Sequence, residues 1–213
     1  MGARWSSVIT TAETPAVELA HATLALAAEA TDRVVRLDVM SGAASGSGLL
    51  SAELNSVGAR RRCHLRPEHL ESISQECFGS PKVVVNEPEL ALARTWSRAF
   101  KAPFLWIYFN DSYNAAAGVL FEDGQPASHE IDGWMGESIR LVDGVRGIAT
   151  FSPNAVIARM AGRIGLKLEY AEELFEIFYG PESPVTSLFV RRDGQVLDSP
   201  QPADELKNDG VRA

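Results

Sequence analysis

The sequence predicts an α+β domain, an antiparallel or mixed β-sheet with helices packed against it. Three observations carry that expectation. Helical and strand-like periodicities interleave along the chain. Two strand-like runs, 104–109 and 117–122, lead into Asp123-Gly124, a favoured type I′ hairpin pair. A second Asp-Gly, at 193–194, turns a closing hairpin over 184–200. Hairpins near 104–132 and 184–200 leave no room there for the long crossovers of a doubly wound parallel sheet. Residues 1–200 read as a single α+β domain, with a flexible loop at 41–48 and a polar C-terminal tail at 201–213.

The elements follow in order. "RWSSVITTA" (4–12) is rich in β-branched residues and reads as a strand. Thr14 as N-cap and Pro15 in the first turn open a helix running to about Thr31. Its apolar girth, with Val17, Ala20, Leu24 and Ala27 on one face and Leu19 and Leu26 on another, implies burial on more than one side. The alternation in 33–40 predicts a half-buried strand. Residues 49–65 suggest a strand pair turning between Asn55 and Gly58, and Pro67 opens a helix over 66–78 that Gly79 stops.

A short strand at 81–85 precedes a helix at 87–100 whose Leu92, Trp96 and Phe100 share a face. Strand 104–109 is apolar on both faces, which places it centrally and covered on both sides. A third strand at 126–132 returns from the Asp123-Gly124 turn. Residues 133–149, with four glycines, read as loops around one short apolar segment. A helix from Pro153, with Val156, Met160 and Ile164 aligned, stops at Gly165. Another at 169–180 turns Ala171, Leu174, Phe175 and Phe178 inward. "EDGQ" at 122–125 and "RDGQ" at 192–195 share a turn and do not amount to a repeat.

Composition bounds the function. At 213 residues, 46% hydrophobic and 23% charged, the chain has ample core for a globular fold. A net charge of −8 argues against nucleic acid or anionic membrane as the main partner, since both reward clustered Lys and Arg. No apolar run reaches the roughly 18 residues of a membrane span. Residues 1–15 lack the apolar core of a secretory signal, so a soluble, cytoplasmic protein is expected. Two cysteines set no disulfide framework, and no oligomeric state follows from the sequence.

Motifs for chemistry fail on spacing. Cys63, His64, His69 and Cys77 do not suit zinc: Cys63 and His64 are adjacent, and His69 lies eight residues from Cys77, about 12 Å along a helix. His129-Glu130 is half of H-E-x-x-H, but Gly133 stands where the second histidine belongs. The 41–51 stretch matches neither a phosphate loop nor a nucleophile elbow. Asp111-Ser112 ends the 104–109 strand with residues that favour turns. The catalytic candidates are therefore Asp111, His129 and Glu130, a scattered acid/base set for a small hydrolase-like enzyme. No metal and no cofactor is expected.

The stronger signal is charge. Glu169, Glu172, Glu173 and Glu176, with Glu182 beyond, face no basic residue between Lys167 and Arg191. Tyr170 and Tyr179 flank the run with a side chain that anchors interfaces. The expected function is a non-enzymatic protein-binding module, an immunity, antitoxin-type or adaptor protein whose acidic face occludes a basic protein partner. A structural or oligomerisation domain is the third reading, from the apolar 15–31 helix.

Overall fold

The computed structural model describes residues 4–23, 34–41, 50–56, 88–110, 114–134, 138–168, 173–174, 185–191 and 195–197. The strands are β1 (Arg4–Thr10), β2 (Val34–Ser41), β3 (Leu50–Ser56), β4 (Phe104–Asn110), β5 (Ala115–Glu122), β6 (Gln125–Trp134), β7 (Ser138–Val142), β8 (Val145–Gly147), β9 (Val185–Arg191) and β10 (Val196–Leu197). The helices are α1 (Ala16–Ala22), α2 (Pro88–Phe100) and α3 (Pro153–Gly162). The ten strands among the described residues form one sheet in the order β10-β9-β2-β3-β1-β4-β5-β6-β7-β8. Every pairing is antiparallel, which makes this an α+β fold.

The sheet lies between two helical layers. α2 covers β1, β4 and β5 on one face beside α1, while α3 crosses β4, β5 and β6 on the other. Strand alternation divides the side chains accordingly. Phe104, Trp106 and Tyr108 join Trp96, Leu92 and Leu19 in a core on the α1/α2 face. Leu105 and Ile107 join Ile9, Ala116, Val156, Ile157 and Met160 on the α3 face. β4 is thus central and covered on both sides, as its sequence predicts. The close seat of α3 depends on Gly118 of β5, where an added Cβ would stand 2.8 Å from Met160 Cγ.

Specific hydrogen bonds fix the helices. Trp96 donates its indole N–H to the Leu19 carbonyl at 3.2 Å, joining α2 to α1. Ser97 Oγ accepts the Gly124 N–H at 2.9 Å and seats α2 on the β5–β6 turn. That turn has φ of 49° at Asp123 and 76° at Gly124, as a type I′ pair requires. Thr11 donates to the Ile164 carbonyl at 3.2 Å and holds the end of the α3 segment over β1.

Three expectations need correction. Residues 133–149 are not only loops: β6 runs through Trp134, and β7 and β8 form a hairpin on Asp143-Gly144, with φ of 47° and 82°. Pro15, not Thr14, occupies the α1 cap position, and the Thr14 hydroxyl instead approaches the Ala12 carbonyl at 3.5 Å. Val17 is 50% exposed, while Leu19 and Ala20 are fully buried. β3 continues through Asn55, paired to Arg36 of β2, as far as Ser56; residues 57–58 of the expected turn, and 24–31 of the first helix, lie outside the described residues. The 41–48 loop beyond Ser41, the 66–78 helix, the 81–85 strand, the 201–213 tail and most of 169–180 lie outside the described residues.

Candidate functional site

Titratable groups gather where β6 and β7 meet α3. Period-two alternation sends Ser128, Glu130 and Asp132 of β6 to the α3 face, and His129 and Ile131 to the other. The predicted acid/base pair is therefore split: His129 and Glu130 are chain neighbours on opposite faces. Asp111 and Ser112 lie outside the described residues, as do Cys63, His64, His69 and Cys77. Among the described residues no three His, Cys, Asp or Glu side chains are placed to hold a metal ion.

Glu130 is 3% exposed and sits under two guanidinium groups. Arg159 of α3 donates to it twice, from Nε at 2.9 Å and from Nη2 at 2.5 Å. Arg140 of β7 adds a third contact from Nη2 at 3.4 Å. The Glu130 hydrogen bonds raise the pKa of Arg159 further above its ordinary value, so the guanidinium stays charged. A carboxylate with both oxygens engaged by guanidiniums is a clamp for α3.

Asp132, fully buried, is equally committed. Oδ1 accepts the Thr150 N–H at 3.0 Å and the Phe151 N–H at 3.3 Å, and Oδ2 accepts the Thr150 hydroxyl. It fixes the backbone that leads into α3, where Phe151 adopts φ 52°. Asn114 donates to the Phe151 carbonyl at 3.1 Å, so this left-handed residue is held from both sides.

His129 is fully buried and its pKa is lowered to about 4, chiefly because burial disfavours the imidazolium, with Asp143 and Glu130 opposing. Its backbone N–H donates to Asp143 Oδ1 at 2.7 Å, and Nε2 accepts the Gly144 N–H at 3.4 Å. The Nδ1 to Asp143 separation of 3.7 Å is no ion pair at neutral pH, because the ring is uncharged there. His129 locks the β7–β8 turn onto β6.

Comparison with known protein families, with curated proteins and with solved structures finds no match to this chain. Its own surface is the remaining guide. Among the described residues, the exposed large hydrophobic side chains are Val17 at 50%, Val145 at 71%, Ile148 at 87% and Phe151 at 42%. Three of these four fall within seven residues, on and just after β8, the terminal strand of the sheet. The sequence reading missed this rim because it missed the hairpin that builds it. Of the predicted acidic surface, only Glu173 is described; it is partly buried, beside a fully buried Leu174 that packs in the α3-side core. Glu169, Tyr170, Glu172, Glu176, Tyr179 and Glu182 lie outside the described residues.

Proposed function

We propose that this chain is a non-enzymatic protein-binding module that docks its partner on the β8 rim. The observation that carries the reading is the concentration of Val145, Ile148 and Phe151 on the outermost strand and the segment after it. Two further features support it. Phe151, 42% exposed as a residue, is held in a costly backbone conformation by Asp132 and Asn114; such strain is kept where it serves a site. Of the expected acid/base residues, Glu130 is engaged by the contacts that seat α3 and His129 by the β7–β8 turn, while Asp111 lies outside the described residues.

The acidic run from Glu169 to Glu182 offers a second surface, suited to occluding a basic partner in the manner of an immunity or antitoxin-type protein. The absence of any basic residue between Lys167 and Arg191 supports it. An affinity pull-down from the native cell separates the two surfaces. Ile148→Ser/Phe151→Ser, with circular dichroism unchanged, is expected to lose the captured partner, whereas Glu172, Glu173 and Glu176 reversed to Lys is expected to lose one held by the acidic run. A partner retained by both variants rejects both surfaces.

A further inference from the structure

We infer that the unprotonated ring of His129 latches the Asp143-Gly144 turn to β6, and that acid unlatches this turn while the rest of the sheet stays closed. Such a latch acts whatever the rim binds.

Three hydrogen bonds tie the turn to one residue. Asp143 donates its backbone N–H to the His129 carbonyl at 3.0 Å. His129 returns its own N–H to Asp143 Oδ1 at 2.7 Å. Gly144 donates its N–H to Nε2 of the ring at 3.4 Å. That last bond needs a lone pair on Nε2, so the neutral ring carries its hydrogen on Nδ1, 3.7 Å from Asp143 Oδ1. A second proton converts Nε2 from acceptor to donor and sets two N–H groups head to head. It also puts a full charge on a side chain with no solvent exposure, and Asp143 Oδ1 stands beyond hydrogen-bond distance of it. Turning the ring out to water relieves both costs, and the turn bonded to it leaves with it.

The turn can open without the core. Every residue from Asp143 to Ile148 is exposed, and β8 buries none of its three. The buried side chains nearby, Leu141 of β7 and Ile131 of β6, are paired with each other in the α1/α2-side core. Segments with so few buried contacts open at lower free energy than the centre of a sheet.

The charges around the ring set the balance. Asp143 and Glu130 draw a proton towards it, but burial outweighs them and keeps the closed ring neutral down to about pH 4. Glu130 is engaged on the opposite face by Arg140 and Arg159, and Arg163, at the end of α3, stands 3.8 Å from Asp143. On the ring's own face stand Arg146 of β8, opposite Leu141, and the α2 cations Arg94, over Phe121, and Arg98, against Gly124. In the open turn the ring meets water and titrates at about 6.5. Acid therefore favours opening as pH falls from 6.5 toward 4 and has no such effect above 6.5.

Amide hydrogen exchange of the full chain, read by NMR and corrected for intrinsic rates, tests the latch. Between pH 7 and pH 5, protection at Gly144 is expected to fall about 20-fold, with Asp143 following, while Val119 and Leu120 of β5 keep theirs. His129→Gln offers Gly144 an acceptor oxygen but takes no proton, so its Gly144 protection is expected to stay flat. An equal fall in both proteins assigns the response to another group and overturns the inference. A joint fall at Gly144 and β5 overturns it too, by tying the proton to the whole fold, as does the absence of any fall in the wild type. Should His129→Gln not fold, the wild-type profile decides. Protection that is flat above pH 6.5 and drops about tenfold per pH unit below it supports the latch, whereas a drop that begins only near pH 4 overturns it.

Discussion

The two faces of the sheet are packed on different principles, although one strand, β4, supplies the centre of both. The α1/α2 face is built from large aromatic side chains: Trp96, Trp106, Tyr108, Phe104 and Phe121 are all fully or almost fully buried. Trp96 and Phe104 meet with ring centroids 5.8 Å apart, and Arg94 lies 5.4 Å over the ring of Phe121. The α3 face is aliphatic over β1, β4 and β5, then changes at β6 to a clamp of Glu130, Arg140 and Arg159 with Asp132 beside it. Apolar packing holds a helix down without fixing its direction closely. Bidentate charge fixes direction, so α3 is aimed by Arg159 as well as buried by Met160.

That contrast sets the order of expected effects. Trp96→Ala should be the most damaging substitution, costing about 4 kcal/mol in urea denaturation, because it removes one of the two buried tryptophans of the aromatic face and the indole bond to α1. Acidification follows. His129 is neutral in the folded protein down to about pH 4, while an unfolded histidine takes its proton near pH 6.5. Above pH 6.5 it contributes nothing to pH dependence. As pH falls from 6.5 toward 4, only the unfolded chain gains the proton, so stability drops by up to about 3 kcal/mol. His129→Leu lacks this component, so the wild-type minus variant stability difference should fall as pH drops across that window, and a difference that stays constant with pH would contradict the buried neutral ring.

The clamp should matter less, because its arginines are partly in water. Glu130→Ala is expected to cost about 2 kcal/mol, by leaving Arg140 and Arg159 without their shared carboxylate. Glu130→Leu combined with Arg159→Leu should cost less than Glu130→Ala alone, since no charge is then stranded. A double variant worse than the single one would mean that the pair stabilises the fold in its own right and does more than set direction.

Much of the fold was legible because local and global signals agree. The two-sided apolar run of β4, the Asp123-Gly124 turn and the alignment of Val156, Met160 and Ile164 each state locally what the tertiary structure later uses. The β7–β8 hairpin was missed for a physical reason. Its strands have five and three residues, and β7 is held by register with β6 (Ile131 opposite Leu141, Asp132 opposite Arg140), not by any propensity of its own. Asp143-Gly144 carried the same turn signal as Asp123-Gly124, but four glycines in the surrounding stretch masked it. Asn55 stays in β3 despite its preference for turns, because it is paired to Arg36 of β2. The clamp could not be read from spacing at all: Glu130 and Arg159 lie 29 residues apart, and only the packing of α3 on β6 brings them together.

The strand order also sets a timetable for assembly. β4 to β8 stand in the sheet in the order in which they occur along the chain, so each joins the strand made just before it. β2 instead needs β9, from the far end of the chain, while β1, the first strand, is the seam between β3 and β4. Contacts that close short loops form sooner than those that close long ones. The β4–β8 meander can therefore organise while the rest of the chain is still unplaced, and the rim proposed for docking belongs to this early half. The β2–β9 pairing closes the longest loop in the sheet, between residues near 37 and 188.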